Sequence, residues 1–302
     1  VAREVAASLG LKYTDPVDAL RSVKFEKTGT GVQAKIVDKD AASVFYLRTL
    51  SDFDQSAKTP LWMQRRIEKM GMRSISLVVD ITNYVMLELG QPLHAFDADK
   101  ISGSLAIKRA GSVQKFTTLD GQERTLSADD LMVCDDVKPL ALAGTMGGLE
   151  SEITSSTTRI AVEAVRFDPV AVAKNSRRHK LSSEASRRLE RGVDPSLAEF
   201  SSARFVQLLT QLSTAKHVET VIDGEPRFAP IVKIDPSYVA ATLGISITPA
   251  EIAAQLRAVG CDVNESSFEV DPPSWRSDLL QPADFVEEVA RMVGYDTIPS
   301  IL

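Results

Sequence analysis

The chain contains 302 residues, of which 44% are hydrophobic and 25% are charged, and its formal net charge is −6. This composition is typical of a soluble globular protein with sizeable cores, and the length favours two domains over one. No run approaches the roughly 18 apolar residues of a membrane-spanning helix. The acidic balance also excludes a protein that binds nucleic acid along its whole surface.

The two cysteines indicate the redox state of the compartment, and the first residue indicates whether the chain is complete. Cys134 and Cys261 lie far apart in sequence. They predict two reduced thiols rather than a disulfide framework or a zinc site, and therefore a reducing compartment. Because the chain starts at Val1 and not at Met, we interpret it as a piece of a longer protein with no visible targeting segment.

The distribution of patterns along the chain predicts two domains. Residues 1–57 are expected to be a leader segment with short strands, packed on a main domain at 58–222. Glycine and proline cluster at 223–230 and indicate a boundary, after which residues 230–302 form a second domain. The predicted fold class is α+β, with a mixed, largely antiparallel sheet domain followed by a small winged-helix-like module.

The main domain is predicted to begin with helices and continue with strands. Thr59 suits the N-cap of a helix that starts at Pro60 and stops at Gly71. The apolar run at 75–89 predicts a buried helix, although a strand is also compatible with so apolar a run. Further along, a period of two and an Asp120-Gly121 turn predict a series of strands. They are expected at 116–119, 124–126, 131–134, 140–143 and 159–165, before helices from Asp168-Pro169 and at 195–212.

The second domain has a compact pattern. Helices are predicted at 236–243 and after the capping box of Thr248 and Glu251. A hairpin is predicted from 261–270 with 274–275, and a last helix at 282–292. Helix, helix, hairpin and helix in this order indicate the winged-helix-like module.

Three features of the main domain are candidates for chemistry. His94 lies in the segment 90–97, with Asn83 eleven residues earlier; a structural role after a turn is the alternative. Residues 144–148 form a glycine-rich loop after a strand, which allows close approach of a ligand or is simply a tight turn. Because this loop lacks the Gly-Lys-Ser/Thr ending of a P-loop, it does not predict a nucleotide cradle.

Glu163 interrupts an otherwise apolar strand pattern at 160–165. If its side chain points inward, the carboxylate is costly unless it is paired or meets a polar ligand. If that face of the strand is solvated, Glu163 has no special meaning.

A basic segment and an acidic helix complete the candidates. Seven cations stand between positions 174 and 191 against only two glutamates, which predicts a local RNA-binding patch or else a solvated helix face. The cations are Lys174, Arg177, Arg178, Lys180, Arg187, Arg188 and Arg191.

The acidic group lies at the start of the last helix. Asp284, Glu287 and Glu288 share one helix face, and Asp278 is just upstream. Oxygen ligands of this kind suit magnesium or calcium. An acidic first turn that favours the helix dipole is the alternative.

Taken together, several stretches resemble the beta subunit of bacterial phenylalanyl-tRNA synthetase over essentially the whole chain. The matching stretches are 79–84, 90–97, 144–148, 178–195 and 284–288. The resemblance implies that residues 58–222 are the B3/B4 editing domain and residues from 230 are the B5 domain. It also implies a cytoplasmic protein whose partners are tRNA(Phe) and a catalytic alpha subunit, in a tetramer of two alpha and two beta subunits. ATP would be used by the whole synthetase and not bound by this fragment.

The implied activity is hydrolysis of tyrosine wrongly esterified to tRNA(Phe). An apolar pocket rejects an added hydroxyl by only about a hundredfold, so a second site must select for that hydroxyl. By resemblance, Glu163 accepts a hydrogen bond from the tyrosine phenol, while His94 and Asn83 are polar pocket residues. His94 would position or deprotonate water, or hold the tRNA end. Gly147 and Ala185 match small pocket residues, and Ser183 matches a position that is threonine in some relatives.

The resemblance also assigns the charged segments. Arg177, Arg178, Lys180, Arg187 and Arg188 would meet RNA phosphates. Asp278, Asp284, Glu287 and Glu288 match magnesium ligands near the contact with the alpha subunit. A catalytically silent scaffold for tRNA binding and subunit assembly is the alternative function. The acidic last helix counts against DNA binding by the second domain.

Overall fold

The computed structural model describes residues 2–113 and 115–299, so Val1, Gln114 and the last three residues of the predicted second domain lie outside the described part. The chain forms two compact units. The large unit is Pro16–Pro226, and the small unit joins the residues up to Asp15 with those from Arg227 onward. The predicted leader is therefore not one segment: its first residues belong to the small unit, and its strands are part of the large unit.

The elements alternate along the chain. The helices are α1 (Ala2–Ser8), α2 (Leu61–Lys69), α3 (Leu77–Leu89), α4 (Pro169–Arg178), α5 (Glu184–Leu189), α6 (Leu197–Leu212), α7 (Pro236–Leu243), α8 (Pro249–Ala258) and α9 (Pro282–Val293). The strands are β1 (Gln33–Ile36), β2 (Ala42–Ser51), β3 (His94–Asp97), β4 (Ser104–Arg109), β5 (Lys115–Thr117), β6 (Glu123–Thr125), β7 (Leu131–Cys134), β8 (Pro139–Leu142), β9 (Met146–Gly147), β10 (Ile160–Phe167), β11 (Lys216–Gly224), β12 (Val232–Lys233), β13 (Asp262–Asn264) and β14 (Glu269–Asp271). The predicted α+β class, with its largely antiparallel sheets, is confirmed.

The large unit is built on two sheets. One is antiparallel, with the strand order β11-β2-β10-β3. The other has the order β1-β4-β7-β8-β9 and is antiparallel except for the parallel pair β1 and β4. A hydrophobic core that includes Phe45, Phe96 and Val133 joins residues of both sheets. Strand β10 is covered on both faces, since Ala161 and Val165 belong to this core and Ile160 and Val162 to a second one. Even Glu163 of this strand is buried.

Helices α3 and α6 supply a second core, with Leu50, Ile81 and Phe205 among its members. The helix predicted from the apolar run is confirmed as α3, which ends at Gly90 in the left-handed conformation with φ of 95°. The helix predicted from Asp168-Pro169 is also confirmed, and the Asp168 carboxylate caps it by accepting from the Ala171 amide at 2.8 Å.

Two local predictions for the large unit need correction, and one strand was not predicted. Thr59 does not cap α2; its hydroxyl donates to Asp80 of α3 at 2.5 Å, a tertiary partner that the local pattern does not reveal. Helix α6 begins at Leu197 rather than near 195, since Asp194 first forms a turn with Ser196. Strand β11, at the edge of the sheet beside β2, was not predicted because it alternates only weakly.

The small unit follows the predicted order of helix, helix, hairpin and helix. The capping box of Thr248 and Glu251 is present at the start of α8. The hairpin is formed by β13 and β14 alone, with β12 on the other side of β14, so the segment 274–275 is not one of its arms. Instead, the ring of Trp275 packs under Arg3, whose guanidinium carbon lies 3.6 Å from the ring centroid.

Both cysteines are buried and free. Among the residues described, no helix is long and apolar enough to cross a membrane.

Candidate functional site: a buried carboxyl group at a small cavity

Strand pairing brings the two principal candidates together. In the antiparallel pair of β3 and β10, His94 lies directly opposite Glu163. Residues opposite each other in such a pair project from the same face of the sheet, with Cβ atoms roughly 5 Å apart. Two residues that are distant in sequence therefore belong to one site.

Glu163 is buried without compensation. Its side chain is only 5% exposed, and Oε2 has no hydrogen-bond partner among the described residues. Burial raises the pKa of Glu163 to about 8. At neutral pH the group is thus mostly a neutral carboxylic acid, which can donate or accept one hydrogen bond from a polar ligand.

A cavity of about 70 Å³ lies in front of Glu163. Its walls come from the start of β3, the β8–β9 turn, β10 and α5. The lining includes Leu93, His94, Thr145, Met146, Gly147, Glu163, Val165, Phe167, Ala185 and Leu189. Apart from Glu163, His94 and Thr145, these side chains are apolar, so the cavity suits a ring that carries one polar group.

Gly147 makes room for the histidine. A Cβ atom at this position would lie 2.6 Å from His94 Nε2 and 3.1 Å from a Leu119 methyl carbon. The sequence predicted that Gly147 leaves space for a substrate ring. In the structure the space next to Gly147 is taken up by the imidazole itself, and Gly147 also lines the cavity.

His94 is fixed by its neighbours and is a poor base. Its ring stands edge-on to Phe96, with ring centroids 4.5 Å apart. Burial lowers the pKa of His94 to about 4. The imidazole is therefore neutral at pH 7, with one nitrogen that donates a hydrogen bond and one that accepts.

A larger cavity of about 810 Å³ also has His94 in its lining. Asn83 and Thr82 of α3 line this second cavity and not the small one. Leu93 and His94 line both. The predicted residue Asn83 therefore lines the larger cavity, Glu163 lines the small one, and His94 lines both.

Ser183 and Ala185 have different positions. Ala185 lines the small cavity. Ser183 does not, because its hydroxyl donates to the Thr145 carbonyl and accepts from the Ser186 amide, both at 3.0 Å. Ser183 is consequently a cap of α5 that ties this helix to the β8–β9 turn, where Thr145 borders the cavity.

The five cations predicted to bind RNA are not equivalent. Arg178 pairs with the buried Asp130, while Arg187 and Arg188 both pair with Glu184. Arg177 and Lys180 are exposed and have no carboxylate partner in the described part of the chain.

The four predicted metal ligands are not brought together. Arg276 bridges Asp278 and Glu288 at 2.7 and 2.8 Å, and Arg291 also binds Glu288. Asp284 accepts from the amides of Leu280 and Gln281 at the start of α9. Glu287 accepts from the hydroxyl of Tyr295 at 2.5 Å. In the described residues no group of His, Cys, Asp or Glu side chains could hold a metal ion, so these carboxylates do not fit magnesium as they stand.

Two supporting residues were not predicted. Asp80 is fully buried and accepts hydrogen bonds from Thr59, Ser74 and the Ile75 amide, which fixes the rim of the larger cavity. Gln91 is fully buried, and its amide nitrogen donates to the carbonyls of Pro92 and Val165 at the end of the small cavity. A carboxylate inside an apolar run was the available signal for Asp80.

Comparisons with known proteins agree with this architecture. Residues 41–214 match the B3/4 domain family, and residues 232–295 match the tRNA synthetase B5 domain family. The chain therefore belongs to the B3/4 domain family, and the resemblance to phenylalanine–tRNA ligase beta subunits drawn from the sequence is confirmed.

The curated relatives are much longer than this chain. It is 45% identical to the phenylalanine–tRNA ligase beta subunits of Leifsonia xyli and of Streptomyces avermitilis, and covers 36% of each. A solved structure, an N-terminal fragment of the phenylalanyl-tRNA synthetase beta subunit from Pyrococcus horikoshii, is 14% identical with a TM-score of 0.44 and is covered over 81% of its length, against 97% of this chain.

Proposed function

We propose that the large unit is an editing domain that hydrolyses the ester between tyrosine and tRNA(Phe). The observation that carries the proposal is the buried carboxyl group of Glu163, which has an unpartnered oxygen at an otherwise apolar cavity. A tyrosine ring would fill the small cavity, and its phenol would exchange a hydrogen bond with Glu163. Phenylalanine would bury the carboxyl group without a partner, which costs about 1–3 kcal/mol and favours tyrosine.

The order of the cavities gives the orientation of the substrate. With the ring beside Glu163, the ester would lie near His94, and the ribose would extend into the larger cavity. Water attacks the ester carbonyl carbon, the bond to the ribose oxygen breaks, and that oxygen takes up a proton. The products are free tyrosine and tRNA with a free 3′ end.

His94 would position the attacking water or the ribose rather than serve as the base. A general base is most effective when its pKa lies near the working pH, and the pKa of His94 is lowered to about 4. A neutral imidazole can still accept a hydrogen bond from water and so orient it towards the carbonyl carbon. Of the alternatives open from the sequence, positioning is the one that this pKa supports.

The proposed partners and cofactors are those of a complete synthetase. We infer that the chain works as part of a beta subunit that meets tRNA(Phe) and an alpha subunit, and that ATP and magnesium serve the complete enzyme. The proposed role of the small unit is assembly. Asp278, Asp284, Glu287 and Glu288 would have to exchange their present partners before they could bind a cation.

The test is deacylation of Tyr-tRNA(Phe) and Phe-tRNA(Phe) by the chain, its Glu163→Ala and His94→Ala variants, and the exposed control Glu225→Ala. We expect the wild type and the control to hydrolyse the tyrosyl ester faster. Glu163→Ala removes the hydrogen-bonding group and should lose most of this preference, and His94→Ala should lose rate on both esters. If the wild type binds tRNA but hydrolyses neither ester, the chain is a silent scaffold instead.

A further inference from the structure

Helix α2 forms a wall of the larger cavity and carries an unusual surface. Gln64 of α2 lines the cavity, as do Lys58 and Thr59 before the helix and Ser74 and Ile75 after it. Met63 and Ile67 of the helix are fully buried, whereas Trp62, Arg65 and Lys69 are exposed. The surface next to the cavity is therefore continuous with the outer face of α2.

That outer face is basic although the protein is acidic. Residues 58–73 contain five cations and one carboxylate, a net charge of +4, whereas the whole chain has −6. Four of the cations are exposed and have no carboxylate partner within the described ranges: Lys58, Arg65, Lys69 and Arg73. Like charges kept close without counter-charges favour a polyanionic partner.

An aromatic ring stands among these cations. Trp62 is 42% exposed, and its ring meets Tyr84 edge-on at 5.3 Å between centroids. The guanidinium carbon of Arg66 lies 5.4 Å from the Trp62 centroid, and the same group donates to the Tyr84 hydroxyl at 2.8 Å. The indole is thus held in place while much of it stays open to solvent, as in a platform on which a base can stack.

The chemistry of the cavity favours a nucleic acid over a lipid surface. Its polar lining consists mainly of amides and hydroxyls, among them Gln55, Gln64, Ser74 and Asn83, which can bond to base edges and sugar. The side chain of Asn83 has no hydrogen-bond partner among the described residues, so acyl chains would leave its amide unsatisfied. Cations and an exposed ring next to such a cavity match the combination that binds single strands.

We propose that the outer face of α2 is a docking surface for the single-stranded 3′ end of an RNA, which passes over Trp62 and between the unpaired cations into the larger cavity. This inference rests on the proposed function for the cavity, and it adds the route of approach. It moves the main RNA contact from the five predicted cations at 177–188 to α2, because three of those five are held in ion pairs with Glu184 and Asp130.

The experiment measures binding of a fluorescent single-stranded RNA ending in CCA, and of tRNA(Phe), to the full chain at several salt concentrations. The key variant is the pair Arg65→Gln with Lys69→Gln. Its matched control is the pair Lys174→Gln with Arg177→Gln, which also removes two exposed, unpaired cations from a helix. Loss of two phosphate contacts should lower the slope of log affinity against log salt by about 1.4.

Trp62 tests the stacking contact. Trp62→Ala should weaken RNA binding by about tenfold, and Trp62→Phe should retain most of it. In the Trp275→Phe variant, whose one tryptophan is Trp62, RNA should quench the fluorescence. Because Trp62 is half exposed, its replacement leaves the fold intact, which far-ultraviolet circular dichroism checks.

Any of three results would overturn this route for the RNA. The Arg65→Gln, Lys69→Gln variant binds RNA as tightly as the wild type, the Lys174→Gln, Arg177→Gln control loses as much affinity as that variant, or the chain binds anionic vesicles but not RNA. Hydrolysis of tyrosyl-adenosine, which lacks the rest of the RNA, separates the two proposals. The α2 pair should hydrolyse it at the wild-type rate, whereas failure of the wild type on this ester would contradict the editing function and leave the binding result to stand separately.

Discussion

Glu163 of the large unit and Glu288 of the small unit are buried to almost the same degree, 5% and 6% exposed, but their surroundings are opposite. Two arginines bind Glu288, while Glu163 has an unpartnered oxygen at a cavity. Burial by itself would raise the pKa of both. For Glu288 the hydrogen bonds from Arg276 and Arg291 outweigh burial and lower its pKa.

The comparison shows that burial of a carboxyl group does not by itself reveal its role. Where a protein supplies cations, the group stabilises a fold and is closed to ligands. Where it supplies none, the group costs stability and remains available to a ligand. Glu288 belongs to the first kind, and we place Glu163 in the second.

The largest expected effect follows from breaking the arginine cluster. Arg276→Met would leave Asp278 without its cation and Glu288 with Arg291 alone, so the free energy of unfolding of the small unit should fall by about 3 kcal/mol. Urea denaturation followed through Trp275, with Trp62→Phe in the background, measures this. If the free energy of unfolding falls by less than about 0.5 kcal/mol, the arginine cluster is solvated, and the proposed difference between Glu288 and Glu163 is contradicted.

Glu163→Gln should raise the free energy of unfolding, whereas Arg276→Met should lower it. The pKa of Glu163 is raised to about 8, so ionisation costs stability as the pH rises from about 4.5 towards 8. The variant cannot ionise and should be more stable than the wild type by about 3 kcal/mol at pH 7 and by less than about 1 kcal/mol at pH 5. Denaturation followed through Trp62, with Trp275→Phe in the background, tests it.

Glu288→Gln is the matched comparison. Because the pKa of Glu288 is lowered, its charge contributes stability above its unfolded pKa, and this contribution is lost as the pH falls through the folded value. The variant should therefore be less stable than the wild type at pH 7, with a difference that shrinks below pH 4.5. Equal pH profiles for the two glutamine variants would contradict the comparison.

Gly147→Ala sharpens the comparison at the cavity. The new methyl group would displace the His94 ring, and hydrolysis of the tyrosyl ester should fall by about tenfold or more, since small misplacements are costly in catalysis. Single-turnover deacylation measures the loss. Gly111→Ala makes the same change where a Cβ atom would have no neighbour within 4 Å, and it should change the rate far less. An unchanged rate in Gly147→Ala would remove His94 from the mechanism.

The smallest effect is an expected lack of change. An ordinary histidine titrates near pH 6.5, but the pKa of His94 is lowered to about 4, so the imidazole stays neutral between pH 5.5 and 7.5. The ratio of the wild-type deacylation rate to that of His94→Ala should accordingly be constant over this pH range. A step centred near pH 6.5 in the wild type alone would show that His94 is exposed to water and titrates normally.

Local sequence patterns were sufficient to predict much of the secondary structure. The Asp168 cap, the capping box at Thr248 and the αL turn at Gly90 depend on contacts within a few residues, and the sequence alone predicted the helices that they delimit. The family could also be inferred, because several motifs occur in one order. Thr59 was misassigned because its hydroxyl serves a different helix, through Asp80.

The sequence by itself determined the fold class, most helices and strands, and the residues worth inspecting. Only the tertiary structure decided what these residues do. It set His94 opposite Glu163 through strand register, turned Ser183 into a helix cap and gave the four predicted metal ligands arginine, amide or hydroxyl partners. The physical reason is that the cost of a buried charge depends on groups distant in the chain, which no local pattern records.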